Sequence, residues 1–168
     1  MDIAWIAGFI VGLMLVAIVT LVIRKMSGKP GKYDERQQVA RGKAFTAGYA
    51  TLAIYLAGWL CLSKLELLTF SGETMLMVGL LLSVAVVAGY SIFHDAYFRT
   101  SDRPKMWIII FAGVTLLNLA LGVDHWVQEA TLQAKLGDNL NLLVAITTGV
   151  ILVCVLIKQA MDRRNGEE

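Results

Sequence analysis

Five stretches of this chain, residues 3–23, 44–62, 74–93, 106–123 and 140–157, contain no Lys, Arg, Asp or Glu. A helix needs roughly 20 predominantly apolar residues to cross about 30 Å of hydrocarbon, and each stretch approaches that length. Barrel strands are about 10 residues long with alternating polarity, a pattern these blocks lack. The composition agrees, with 57% hydrophobic and 17% charged residues, where soluble domains carry about a quarter charged. The expected fold is an all-α integral membrane bundle of five transmembrane helices, forming one membrane domain over residues 1–168.

Orientation follows from where the cations sit. Seven lie between the first two blocks (Arg24, Lys25, Lys29, Lys32, Arg36, Arg41, Lys43), three after the third (Arg99, Arg103, Lys105) and three in the tail (Lys158, Arg163, Arg164). The other side holds only Lys64 and Lys135, a bias of thirteen against two. Because positive loops stay inside, the expected topology is N-terminus out and C-terminus in. Residues 24–43 then form a basic cytoplasmic loop and helix start. Cys61 and Cys154 fall near opposite ends of their spans. A disulfide needs Cα atoms within about 7 Å, so the two are expected to remain unpaired.

The first block follows only Met1 and Asp2 and is closed by Arg24 and Lys25, the order expected of an uncleaved anchor. Ala4, Gly8 and Gly12 repeat at every fourth position, a spacing that lets helix backbones approach closely, within the bundle or in a dimer seam. Ser27, Gly28, Pro30 and Gly31 break the helix. Asp34 with Gln37 three positions on predicts a capping box, opening a continuous helix from about residue 35 to 62. The outer connectors 63–73 and 124–139 mix Leu, Phe, Trp and Val with charges and are expected to lie in the interface. Pro104 suits the first turn of the fourth helix. The tail 158–168 is expected to fray.

Chemistry is sparse in this text. Proton relays, ion sites and general acid–base catalysis place titratable groups inside the bundle, whereas the deepest polar candidates in the five blocks are Asn118, tyrosines Tyr49, Tyr55 and Tyr90, and scattered Ser and Thr. These are expected to bond between helices. There is no HExxH, GxSxG or phosphate-cradling glycine motif, and no Cys/His cluster at metal-ligand spacing. No catalytic residue, cofactor or metal is expected, and no nucleic-acid partner. His94 belongs to the inner side and His125 to the outer, where it sits beside Asp124 as a headgroup contact or a lone pH sensor.

The remaining polar text is a candidate cytoplasmic-face cluster. Asp34, Glu35, Arg36, Arg41 and Lys43 enter the second span at the boundary where His94, Asp95 and Arg99 leave the third. Asp95 facing Arg36 or Arg41 closes this cluster in one reading. In the other, the cations enforce orientation and bind anionic lipid headgroups, with the acids acting as caps.

Tyr33-Asp34-Glu35-Arg36-Gln37, followed by Arg41-Gly42-Lys43-Ala44-Phe45 and later by Asp95-Ala96-Tyr97-Phe98, resembles a group of small polytopic bacterial membrane proteins of uncharacterised function. The resemblance covers roughly residues 33–98 and implies a bacterial cytoplasmic membrane setting. It brings no ligand or catalytic residue with it. The expected role is a non-enzymatic accessory or regulatory component that docks a membrane or cytoplasmic protein partner through the cluster. The alternative is a subunit of a homo-oligomeric transporter or channel for a small solute. A weaker reading is lipid chemistry by His94 and Asp95 at the inner interface.

Overall fold

The computed structural model describes Met14 and residues 33–65, 70–98, 104–129 and 139–166. The chain divides into two units, 1–32 and 33–168, and the four helices below all belong to the second. The expected first span at 3–23, Gly8 and Gly12 within it, the break at 27–31, Arg99 and residues 66–69 and 130–138 of the outer connectors lie outside the described residues.

The described residues form helices and contain no strand. Helix α1 is Glu35–Lys64, α2 Gly72–Phe93, α3 Pro104–Gln128 and α4 Leu140–Asn165. All four are long and apolar enough to cross a membrane. Even the 22-residue α2 reaches about 33 Å at ~1.5 Å per residue.

Local chemistry sets the helix starts. Asp34 accepts from the Gln37 amide at 2.7 Å while the Gln37 side chain accepts from the Asp34 N–H at 3.3 Å, so the expected capping box is formed. Ser71 caps α2 by accepting from the Thr74 amide at 3.2 Å, and Asn139 caps α4 by accepting from Leu142 at 3.0 Å.

Two ends differ from expectation. Helix α3 continues through Asp124, His125 and Trp126 to Gln128 instead of stopping at residue 123. The Gln128 amide donates to Asp124 at 2.8 Å, supporting the added turn in the i,i+4 manner. The tail does not fray at residue 158: α4 runs to Asn165, and Lys158 reaches Asp162 one turn on at 2.6 Å.

The main packing contacts are α1 on α2, α2 on α4 and α4 on α3, which makes α2 and α4 central. Close crossings fall at small residues. A Cβ on Gly48 of α1 runs into Val87 of α2 and comes within 3.2 Å of the Ser83 carbonyl, and one on Gly122 of α3 comes within 3.0 Å of the Leu142 amide of α4. The buried cluster is Ala88, Ile92, Ile151 and Val155, with Tyr97, Phe98 and Phe111 packed against it. The outward faces are apolar as well: Ile54 is 74% and Ile109 72% exposed. In water such surface is costly at about 25 cal/mol per Å².

Polar groups also stitch the helices, though not all the expected ones. Thr115 donates to Thr148 across α3 and α4 at 2.9 Å, and the buried Asn139 donates to the Gly122 carbonyl at 2.7 Å. Asn118, expected to bond between helices, donates instead to the Val114 carbonyl of its own helix at 2.9 Å. That bond runs one turn back along the helix and uses one of the two amide hydrogens. Both cysteines are free.

Candidate functional site

The motif residues at 33–45 and 94–98 meet where α1 begins and α2 ends, and their junction is the Gln37 side chain. Its Oε1 serves the capping box, which leaves the amide nitrogen to donate to the Asp95 carbonyl at 2.6 Å and the Phe98 carbonyl at 3.3 Å. One side chain therefore caps α1 and holds the turn that follows α2.

That turn has a defined form. Ala96 N–H donates to the Ser91 carbonyl at 2.8 Å and Asp95 N–H to the Ile92 carbonyl at 3.2 Å, the paired bonds of a Schellman ending. Asp95 occupies the left-handed position, with φ of 55°, where glycine is usual and Asp is one of the better-tolerated alternatives. Ala96, fully buried, closes the motif against the bundle.

The Asp95 carboxylate pairs with Lys158 of α4 at 3.0 Å. The pairing with Arg36 or Arg41, one of the two readings of the sequence, is not made. Helix α2 lies between α1 and α4, so the turn at its end serves both: α1 takes its carbonyl groups through Gln37, and α4 takes its carboxylate through Lys158. Lys158 is shared with Asp162, and its side chain is 19% exposed against 73% for that of Asp95. Arg41 instead lies over the Tyr33 ring, 4.2 Å from its centroid, a cation–π contact.

His94 and Asp95 have different partners. The His94 ring stacks on Tyr90, with centroids 4.0 Å apart and planes 6° from parallel. Its Nδ1 lies 2.9 Å from the Tyr90 carbonyl; a carbonyl only accepts, so Nδ1 carries the proton. Beside this stack a groove of about 490 Å³ is lined by Glu35, Arg36, Val39, Lys43, Tyr90 and His94. Glu35, Arg36 and Lys43 are exposed and take part in no ion pair among the described residues.

On the other side of the turn, Tyr97, Phe98, Trp107 and Phe111 form an aromatic chain with centroids 5.0 to 6.2 Å apart. Burial pushes the Tyr97 phenol above its usual value, with a smaller push from Tyr33. At the far end of α3, His125 Nε2 is buried without a hydrogen-bond partner among the described residues, and Asp124 engages Gln128.

Sequence reasoning brought the two motifs to one boundary but missed Gln37 as their link, and Lys158 and Asp162 as the partners of Asp95. Gln37 was legible only as a cap. Lys158 sits 63 positions after Asp95, and no local pattern connects them. Among the described residues no group of three or more His, Cys, Asp or Glu is placed to hold a metal ion. Compared with protein-family models, curated proteins and solved structures, the chain matches none.

Proposed function

We propose that the chain is a multi-pass protein of the cell membrane, in a bacterial cytoplasmic membrane, with five spans, N-terminus out and C-terminus in. Its role is that of an accessory or regulatory component without catalysis of its own. It docks a membrane or cytoplasmic protein through the face that contains Asp34, Glu35, Arg36, Arg41, His94, Asp95 and Arg99.

Membrane embedding is supported by four helices of spanning length with large apolar side chains turned outward along them, since lipid is the solvent in which such a surface is stable. The orientation rests on the thirteen-to-two distribution of cations.

The observation that carries the docking reading is the Gln37 tether to the turn after α2. It holds two chain segments as one pre-ordered unit, while Glu35 and Arg36 beside it stay exposed and unpaired among the described residues. A surface already ordered loses less conformational entropy on binding.

The test is affinity capture from gently solubilised native membranes, comparing the intact chain with Glu35→Lys/Arg36→Glu. This pair is preferable to reversing Asp34 or Asp95, whose side chains cap α1 and pair with Lys158. A protein recovered with the intact chain and lost with the variant supports docking. Recovery of the same protein with both removes this face from the account.

A further inference from the structure

We propose that the groove between the start of α1 and the end of α2 binds the headgroup of an anionic phospholipid. The proposal rests on the membrane reading above, with this end of the helices at headgroup level.

Four observations converge on it. First, the groove holds about 490 Å³ and brings Arg36 and Lys43 to one wall with Tyr90 and His94 opposite. Arg36 and Lys43 are seven positions apart, two turns along the same face of α1, and both line this groove.

Second, these cations have no anion among the described residues. Arg36 stands in the first turn of α1, where the helix dipole disfavours positive charge. Glu35 is the one acid lining the groove, and it makes no ion pair with either. A phosphate beside Arg36 offsets both the dipole and the like charge of Lys43.

Third, the opposite wall is flat and fixed. Tyr90 and His94 are stacked and His94 is held to the Tyr90 carbonyl, giving an aromatic surface of the kind that sits at headgroup depth.

Fourth, the groove leads onto an apolar track. From Arg36 the same stripe of α1 continues through Lys43, Ala47, Ala50 and Ile54 at steps of seven, four, three and four. Ala50 and Ile54 are exposed, and a Cβ on Gly58 one turn further meets nothing within 4 Å. A charged head above a shallow apolar strip matches a phospholipid with one acyl chain laid along α1, and not a free phosphate.

The experiment is native mass spectrometry of the full chain released from nonionic detergent, titrated with phosphatidylglycerol or phosphatidylcholine. Arg36→Gln/Lys43→Gln is compared with Arg163→Gln/Arg164→Gln, which removes the same charge from the end of α4. Phosphatidylglycerol is expected to be retained in preference to phosphatidylcholine. The groove pair should weaken that retention about thirtyfold, the effect of two cations on one anionic headgroup, and the α4 pair by less, because Arg163 and Arg164 do not line the groove. Equal losses from the two pairs, or equal binding of the two lipids, overturn the proposal.

Excess glycerol phosphate should leave the lipid in place; its displacement overturns the assignment to a lipid. A photoactivatable phosphatidylglycerol tests the site without any variant. Crosslinks to α1 between 36 and 54 support it, and crosslinks confined to α4 overturn it. Alkaline carbonate extraction separates the two levels of failure. Release of the chain from membranes overturns the membrane reading and this site together, whereas retention with no lipid preference overturns the site alone.

Discussion

The Gln37 side chain donates to the Asp95 carbonyl at 2.6 Å across 58 positions of sequence. Substitution at Gln37 can separate its two duties. Glu at this position keeps the acceptor that completes the capping box but has no donor for the carbonyl groups of Asp95 and Phe98. Gln37→Glu is therefore expected to destabilise by about 1–2 kcal/mol and to speed amide exchange at 95–98. Thermal unfolding in detergent and hydrogen exchange measure both, and wild-type values in both would remove the tether from the account.

Asp95 combines a left-handed backbone with an ion pair to Lys158. Asp95→Gly and Asp95→Ala lose the pair equally, so their difference reports the backbone alone. Glycine is expected to be more stable than alanine by about 1 kcal/mol. Asp95→Asn should fall between them. Denaturation of the three variants side by side gives the order, and alanine at or above glycine contradicts the strained turn.

Asn139 is buried and bonds both the α4 amide of Leu142 and the α3 carbonyl of Gly122. Asn139→Ala removes a cap and leaves a buried carbonyl without its donor, an expected cost of about 2–3 kcal/mol. Asn139→Ser keeps a capping acceptor without the amide that reaches Gly122 and adds no charge, so it tests the α3 contact. Unfolding midpoints for the pair distinguish the two contributions.

Glycines of α1 divide by their surroundings. Gly48 faces Val87 and the Ser83 carbonyl, while a Cβ at Gly42 meets nothing within 4 Å. Gly48→Ala is expected to destabilise by about 1–3 kcal/mol through forced separation of α1 from α2. Gly42→Ala is expected to stabilise by about 0.5–1 kcal/mol through helix propensity. Opposite signs in thermal unfolding are the expected result.

The Tyr97 phenol titrates above its usual value because it is buried among aromatic rings. Its folded value is raised, so its contribution is complete below the unfolded value of about 10 and is lost as pH rises through the folded one. Alkaline unfolding should set in later for Tyr97→Phe than for the intact chain. Unfolding midpoints followed above about pH 10 test this, and identical curves would show that the Tyr97 proton is not linked to folding.

Local order determined much of the architecture. The charge-free runs marked each described helix, because covering its own backbone hydrogen bonds over spanning length is what an apolar segment in lipid must do. Asp34 and Gln37 marked the start of α1, because a capping box is complete within four residues. The asymmetry of the cations set the expected orientation for the same kind of reason: it is a sum over loops and needs no packing.

What tertiary structure alone decided is which polar groups meet. Asp95 shares a boundary with Arg36 and Arg41, which makes a pairing with either one reading of the sequence, but boundaries fix depth and leave azimuth open. The packing of α2 between α1 and α4 supplied the azimuth, sending the Asp95 carboxylate to Lys158 and its carbonyl to Gln37. Asn118 donated within its own helix, while Thr115 of α3 donated to Thr148 of α4 and Asn139, the cap of α4, donated back to the Gly122 carbonyl of α3. Helix identity is encoded in runs of neighbours, whereas the partners of a side chain depend on the rotation of each helix about its axis, and that is set by contacts between residues far apart in sequence.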